Sequence, residues 1–248
     1  MTLLACEGIA KRFGDTQALA GIDLGFEQPA TVGLVGPNGA GKTTLINILA
    51  GLLEPDKGMV FVDGKRVRRV PRGMDGGLIV ARTFQETRLI MDAAVLDNIL
   101  LGCRSQRGMN TVRSILGIRT EPRESKDIAY CRELLAAIVP GVGALEYAGN
   151  ISYGQQKLLG LACCIATEAH ILLLDEPLAG LDPTYRGRTI DLIRTLRAQG
   201  KLVIFIEHDL QAVRAMADSV IVLGEGAIIA QGAPLVLDSS EVLEAYLG

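Results

Sequence analysis

The chain has 248 residues, a length that fits one large domain or a domain with a subdomain. Its 25 Lys and Arg residues are outnumbered by 28 Asp and Glu residues, and a net charge of −3 gives no electrostatic reason to expect a nucleic-acid partner. Hydrophobic residues make up 49% of the chain, but the apolar runs stay far below the ~18 residues that indicate a membrane span. Short apolar blocks of this kind are typical of parallel strands covered on both faces.

The first residues and the cysteines indicate a reducing compartment. Met1–Glu7 lack the basic start and the long apolar core of a signal peptide, so we expect the chain to stay in the cytoplasm. The five cysteines are odd in number and show no C-x-x-C spacing, which argues against a disulfide framework and against a zinc site. Cys163 and Cys164 lie in an apolar helical stretch and are predicted to be small core residues.

The first elements in chain order are predicted to be strands. Leu3–Phe26 carries short strand-like segments with turns at Phe13–Asp15 and at Gly21. Thr31–Val35 is predicted to be a buried strand, and Thr44–Ala50 is predicted to be a helix. A glycine-rich loop connects that strand to that helix.

This loop fits the pattern G-x-x-x-x-G-K-[ST], which wraps nucleotide phosphates. Its glycines lack Cβ atoms, so the backbone can turn tightly and aim several N–H groups at one anion. Lys42 adds a point charge for the β- and γ-phosphates, and the Thr43 hydroxyl is a hard oxygen ligand suited to Mg²⁺. The dipole of the following helix also favours a phosphate at its N-terminus. The predicted phosphate site is Gly36, Pro37, Asn38, Gly39, Ala40, Gly41, Lys42, Thr43 and Thr44.

Between the first helix and residue 149, the predicted elements are first strands and then helices. Gly58–Val67 has an Asp-Gly turn between strand-like runs, which predicts a hairpin, and Leu78–Thr83 is predicted to be a strand. Ala93–Leu101 is predicted to be helical, and Asp127–Val139 is predicted to be an amphipathic helix. Between those helices, Gly102–Lys126 is basic and weakly patterned, and we interpret it as an insertion containing a loop and a short helix.

The last hundred residues alternate regularly between apolar strands and helices. The predicted strands are Ile171–Leu174, Leu202–Ile206 and Val220–Leu223, and the predicted helices are Gln155–Thr167, Pro183–Gln199, Leu210–Ala217 and the short Glu241–Gly248. Such alternation predicts a mainly parallel sheet with crossover helices. We therefore expect an α/β core formed by residues 1–84 and 150–248, with a helical subdomain inserted at about 85–149.

Polar residues follow the predicted strands at their carboxyl ends, where open α/β sheets bind ligands. Asp175 ends one strand and is placed to hold Mg²⁺ or its waters. Glu176 comes one residue later, where its carboxylate can polarise an attacking water. His208 follows another strand and can donate a hydrogen bond to the γ-phosphate, and Gln85 has the same kind of placement.

Some of these positions have an equally good structural explanation when each is taken alone. Ser152 is a plausible helix N-cap and Gly154 allows close backbone approach, but together they indicate only the start of a helix. His208 fits a buried, hydrogen-bonded histidine or the N-cap region of the next helix equally well. Gln85, as a single glutamine, establishes nothing.

The ordered set of motifs resembles the nucleotide-binding subunit of ATP-binding cassette (ABC) transporters, and the match covers nearly the whole chain. Gly36–Thr44 corresponds to the Walker A loop and Ile171–Glu176 to Walker B with the catalytic glutamate. The remaining correspondences are Phe13 with the aromatic residue that stacks on adenine, Gln85 with the Q-loop glutamine, Ile151–Gln155 with the signature sequence, Ala179–Asp182 with the D-loop, and His208 with the switch histidine.

The resemblance implies a P-loop NTPase core with a mainly parallel sheet, an N-terminal antiparallel β subdomain and an inserted helical subdomain. It implies ATP and Mg²⁺ as cofactors, with Glu176, His208 and Gln85 as catalytic residues and Thr43, Gln85 and Asp175 around the metal. It also implies that Ser152, Gly154 and Gln155 contact the nucleotide of a second ATP-binding subunit, identical or paralogous.

Several sequence details are similar to the branched-chain amino acid importer branch of the family. Tyr153 stands where the commonest signature has glycine, and Tyr153–Gln156, Asp175–Pro183, Ile206–Asp209 and Glu244–Gly248 all resemble that branch. Arg104–Lys126 is similar to its basic insertion. The branch implies a peripheral protein on the cytoplasmic face of the membrane, a polytopic membrane permease as partner and, indirectly, a solute-binding receptor.

Three alternatives remain open at this point. Cassette ATPases for urea import or for lipid and lipopolysaccharide export share parts of the pattern. Soluble cassette ATPases usually fuse two cassettes or insert a long coiled coil, and this chain does neither. A P-loop kinase or GTPase belongs to another class, and a GTPase would carry an N-K-x-D-like motif for guanine, which the chain lacks.

Overall fold

The computed structural model describes residues 2–68, 79–83, 89–103 and 121–247, and for residues 121–125 and 247 it describes the backbone alone. Within these ranges the strands form two sheets. The first is antiparallel, with the order β2-β1-β4-β5. Its strands are β1 (Leu4–Phe13), β2 (Thr16–Phe26), β4 (Lys57–Val62) and β5 (Lys65–Val67).

The second sheet has the order β10-β9-β3-β8-β7-β6 and is parallel except for the antiparallel edge pair β9–β10. Its strands are β3 (Thr31–Val35), β6 (Val80–Arg82), β7 (Ile171–Asp175), β8 (Leu202–Ile206), β9 (Ser219–Gly224) and β10 (Ala227–Gly232). This architecture confirms the predicted fold class.

The helices alternate with the strands of the second sheet or gather between β6 and β7. They are α1 (Lys42–Leu49), α2 (Val95–Gly102), α3 (Glu121–Ile138), α4 (Tyr153–Ile165), α5 (Pro183–Ala198), α6 (Leu210–Met216) and α7 (Ser240–Leu247). Short 3-10 helices lie at Ala148–Asn150 and Pro234–Asp238.

The inner parallel strands β3, β7 and β8 are buried along their full length because both faces of the sheet are covered. One face packs with α1 and the antiparallel sheet in a single apolar cluster that contains Leu4, Leu45 and Ile204. The other face packs against α5 and α6, with Phe205 fully buried at its centre. The sheet is therefore held rigidly from both sides.

The helices between β6 and β7 form an apolar cluster of their own. It includes Val95 and Ile99 of α2, Leu135 of α3 and Leu158 of α4. Contacts of α4 with α5 and β6 connect this cluster to the α/β core. Leu161 and Cys164, in the second half of α4, belong to the apolar cluster on the sheet, so this half of the helix joins the helical layer to the core.

Four details differ from the sequence-based predictions. Gly21 is not a turn: β2 continues through it, with a φ of 93° and a shift in the pairing with β1. The start of α3 at Glu121 lies inside the segment interpreted as an insertion, whose residues 104–120 fall outside the described ranges. The edge strand β10 and the 3-10 helix Pro234–Asp238 were not predicted.

Candidate nucleotide site

The glycine-rich loop runs from the end of β3 to the start of α1 and is fixed by its neighbours. Gly36 has a φ of 142°, and a Cβ there would lie 2.1 Å from the carbonyl oxygen of Leu223. Gly41 has a φ of 96°, and a Cβ there would lie 2.3 Å from the carbonyl oxygen of Ala18. The loop thus lies between β9 and β2, and only glycine fits at these two positions.

Lys42 begins α1, and its ammonium group points back into the loop. Nζ donates to the carbonyl oxygens of Gly36 at 2.7 Å and of Pro37 at 2.8 Å. Burial lowers the pKa of Lys42, while the nearby carboxylates of Glu176 and Asp175 act in the opposite direction. A buried cation therefore lies at the N-terminus of a helix, where an anionic ligand is favoured.

Asp175 ends β7 and is nearly fully buried. Its Oδ2 accepts a hydrogen bond from Arg82 Nη2 at 2.8 Å, and its backbone N–H donates to Thr83 Oγ1 at 3.1 Å. Arg82 also donates to the side chain of Asn47 in α1. This buried ion pair ties β6, β7 and α1 together next to the loop.

Glu176 and His208 are brought together by adjacent strands. The register of β7 and β8 pairs Asp175 with Ile206, so the residues that follow each strand lie at the same sheet edge. His208 Nε2 lies 3.0 Å from Glu176 Oε1. Glu176 also has a φ of 46°, an unusual backbone conformation for a residue other than glycine. A carboxylate and an imidazole therefore meet beside the phosphate loop.

The magnesium prediction is consistent with the donor set. Among the described residues no group of three or more His, Cys, Asp or Glu side chains is arranged to hold a metal. Mg²⁺ in nucleotide sites is commonly held by one or two protein oxygens together with phosphates and waters. Asp175 and the exposed hydroxyl-bearing Thr43 supply such oxygens, whereas Gln85 lies outside the described residues.

Ser152 and Gln155 form a capping box at the start of α4. Ser152 Oγ accepts from the Gln155 backbone N–H at 3.3 Å, and Gln155 Oε1 accepts from the Ser152 backbone N–H at 2.9 Å. Ser152 is thus the helix N-cap, as predicted. No hydrogen bond within the described ranges joins this helix start to the phosphate loop.

Phe13 lies at the end of β1, where it pairs with Thr16 across the turn to β2. Its side chain is 51% exposed, and Lys11 Nζ lies 5.7 Å from the ring centroid. The same strand pair reaches the phosphate loop, because Ala18 of β2 contacts Gly41. An aromatic face is therefore open to solvent on the element that borders the loop.

Three residues at the site were not singled out from the sequence. Arg82 pairs with Asp175. Glu207 is buried, its Oε1 accepts from the Leu178 backbone N–H at 2.7 Å, and burial raises its pKa. The Tyr246 hydroxyl of α7 accepts from the Gly36 backbone N–H at 2.8 Å. Each of the three contacts a residue far away in the sequence, and a local sequence pattern cannot predict such a contact.

We expect Tyr246→Phe to weaken ATP binding by about two- to tenfold, the range for losing one neutral hydrogen bond of ~0.5–1.5 kcal/mol. The ring would still pack, but the Gly36 N–H would lose its acceptor and the loop would be held less firmly. A fluorescent-nucleotide titration measures the effect, with Tyr147→Phe at an exposed tyrosine as the matched control. An unchanged dissociation constant would show that the hydroxyl does not support the loop.

Comparison with known proteins identifies relatives of this chain that bind ATP. The family model described as ABC transporter matches residues 19–179. The high-affinity branched-chain amino acid transport ATP-binding protein BraF of Pseudomonas aeruginosa is 35% identical over 252 residues, covering 99% of this chain and 98% of that protein. LivG of Escherichia coli, which has the same description, is 33% identical over 255 residues with the same coverage.

Solved structures show the same fold over the whole chain. A nucleotide-free ATP-binding cassette from an ABC transporter superposes with a TM-score of 0.84 at 30% identity, covering 100% of both chains. The ADP conformation of an ATP-binding cassette gives a TM-score of 0.82 at 30% identity, covering 100% of this chain and 99% of that one.

The sheet, the phosphate loop and the acidic strand end define a P-loop nucleotide-binding protein. The chain belongs to the ABC transporter family. No helix of the described ranges is long and apolar enough to cross a lipid bilayer.

Proposed function

We propose that the chain is the ATP-hydrolysing subunit of an importer for branched-chain or other hydrophobic amino acids. The observation that carries this proposal is the meeting of Lys42, Asp175, Glu176 and His208 at one sheet edge. The substrate class comes from the similarity to BraF and LivG over nearly the full length. The urea, lipid-export and non-transport alternatives have no comparable support.

The chemistry follows from the positions of these side chains. The loop N–H groups and Lys42 bind the β- and γ-phosphates, and the loop's fixed shape means that they need little rearrangement. Thr43, Asp175 and, by resemblance, Gln85 would hold Mg²⁺, which neutralises charge on the phosphate oxygens when it is bound. Lys42 would add a further positive charge for the phosphates.

Glu176 is the general base of the proposed reaction. Its carboxylate accepts a proton from the attacking water, and His208 Nε2, 3.0 Å from Oε1, keeps the carboxylate in place. His208 can also donate to the γ-phosphate once the nucleotide is present. The two residues follow adjacent strands of a rigid sheet, so their separation is set by the fold.

The reaction site is completed by a second ATP-binding subunit, identical or paralogous. Ser152 caps an exposed helix start that has phosphate-binding character but no hydrogen bond to this chain's own phosphate loop within the described ranges. Ser152, Gly154 and Gln155 would therefore contact the nucleotide held by the opposite subunit. ATP would close the pair and hydrolysis would reopen it.

A membrane permease is the proposed partner of the helical layer. A cavity of about 410 Å³ lies between the α/β core and the helices α2 and α4. Its lining includes Leu52, Ile90 and Leu101, each of which is more than half exposed. Exposed apolar groups around a cleft favour a protein partner. The subunit would work at the cytoplasmic face of the membrane and would reach a solute receptor only through the permease.

The test combines purification with transport. The chain is expected to co-purify with a polytopic membrane protein and to prefer ATP over GTP in a binding titration. The reconstituted complex should couple ATP hydrolysis to uptake of leucine, isoleucine or valine. Failure to co-purify with any polytopic membrane protein would favour the soluble alternative, and coupling only to urea or lipid would replace the substrate class.

Phe13 provides a separate test of adenine binding. Phe13→Ala should weaken ATP binding by roughly 1–3 kcal/mol, the scale of base–aromatic stacking, whereas Phe13→Tyr should bind almost as well as the native chain. The exposed ring explains why a change there should not disturb the core. Isothermal titration of ATP into both variants is decisive. An ATP affinity of Phe13→Ala equal to that of the native chain would leave Phe13 without a nucleotide role.

A further inference from the structure

The start of α4 is packed against the segment that follows β7 in the same chain. Lys157 Nζ donates to the backbone carbonyl oxygen of Glu176 at 3.0 Å. The Tyr153 ring lies so close to Gly180 that a Cβ there would be 2.8 Å from a ring carbon. A Cβ at Gly154 would likewise lie 2.8 Å from a ring carbon of Tyr185. Three contacts therefore connect the capped end of α4 to the segment that begins with Glu176.

The backbone of Glu176 needs such contacts because its conformation is unfavourable. A residue other than glycine at a φ of 46° persists only where its surroundings hold it in place. The Glu176 N–H donates to the Ile206 carbonyl at 3.1 Å, and its carbonyl accepts from the Ala179 N–H at 3.2 Å. Those two bonds belong to the sheet and to the local turn. The bond from Lys157 comes from the helical layer.

Lys157 is well suited to transmit a displacement of the helix. It is four residues after Tyr153, so both side chains lie on one face of α4, and Nζ is 5.9 Å from the Tyr153 ring centroid. The side chain is half-buried, and a partly desolvated ammonium strongly favours keeping its carbonyl acceptor. A shift of the helix start would therefore move the Glu176 carbonyl with it.

We propose that Lys157 is a positioning residue for ATP hydrolysis, coupling the start of α4 to the Glu176 carboxylate of the same chain. The inference rests on the proposed function, in which the α4 start contacts ATP held by the second subunit and Glu176 activates water in its own site. ATP bound by the second subunit would then set the position of Glu176 in the site of this chain. Displacements of about 1 Å at a reacting group are enough to lower a rate by ~100-fold.

The first experiment measures ATP hydrolysis by the full chain. Lys157→Met keeps the length of the side chain and removes the donor, so kcat should fall by at least about tenfold, since orientation of the base is lost. The KM and Kd for ATP should stay within about twofold, because Lys157 donates to the Glu176 carbonyl rather than to the phosphate loop. Lys157→Arg, which retains a cationic donor, should recover at least about half of the native kcat. Arg188→Met removes an equal charge from an exposed face of α5 and should behave as native.

A second readout separates positioning from general structural damage. In the Glu176→Gln background, Lys157→Met should still form the MgATP-driven dimer, with a melting temperature close to that of its parent. A native kcat in Lys157→Met would overturn the inference. A fall in kcat accompanied by loss of the MgATP-driven dimer and a lower melting temperature would do so too. So would failure of the arginine variant to recover activity. If the native chain hydrolyses no ATP and its Glu176→Gln form does not dimerise, the proposed function fails as well, an outcome distinct from failure of Lys157 alone.

Discussion

Glu176→Gln is expected to lower ATP turnover by at least about a hundredfold, the usual scale for losing a general base. The amide keeps the shape of the side chain but cannot accept the proton of the attacking water. ATP binding should persist, because Lys42 and the phosphate loop are unchanged. Steady-state phosphate release and a nucleotide titration on the same preparation measure the two effects.

The control for that prediction is Glu54→Gln, which makes the same chemical change at an exposed position. It should leave turnover unaltered. Near-native turnover in Glu176→Gln would assign the base to another group, and His208 is the next candidate because its Nε2 lies 3.0 Å from the same carboxylate.

Gly154→Asp, introduced into the Glu176→Gln variant, should abolish the MgATP-driven dimer while the monomer still binds ATP. The new carboxylate would lie at the start of α4, where it would repel the phosphate brought by the second subunit. Light scattering reports the dimer, and nucleotide titration reports binding by the monomer.

The structure requires a matched control for this variant. Any Cβ at Gly154 would contact the Tyr185 ring at 2.8 Å within the same chain, so part of the effect comes from that contact. Gly154→Ala adds the Cβ without the charge, and it should retain more of the dimer than Gly154→Asp. Loss of nucleotide binding by the monomer, or an intact dimer in Gly154→Asp, would contradict a shared site. If the subunit pairs only with a paralogue, the mixed pair is the sample to test.

The sequence predicted the parts of the site that depend on short spacing. The glycine-rich loop, the acidic end of β7 and the Ser152 cap are each contained in a few consecutive residues, and local chemistry decides their form. The apolar blocks around Ile171 and Leu202 were correctly predicted as strands, because burial on both faces requires continuous apolar sequence. Parallel pairing then places their carboxyl ends together.

The sequence did not predict the contacts that join distant segments. The Arg82–Asp175 ion pair and the Tyr246–Gly36 hydrogen bond connect residues with no shared pattern. The Gly21 prediction was wrong because glycine marks bulges as well as turns, and β1 pairing decided between them. Strand β10 was not predicted. Its short apolar run Ala227–Ala230 is only half-buried, because β10 lies at the sheet edge and pairs with β9 alone.

The close packing of the phosphate loop against Ala18 and Leu223 joins folding to ligand binding. These contacts come from β2 and β9, and a third comes from Tyr246 in α7, so the loop takes its shape only when both ends of the chain are folded around it. The unfolded chain then has no phosphate site, and ATP binds the native state alone. By linkage, ATP at 100 times its Kd would add about 2.7 kcal/mol to the free energy of unfolding of the entire chain. A subunit saturated with nucleotide in the cell is therefore a more stable protein than the same subunit without it.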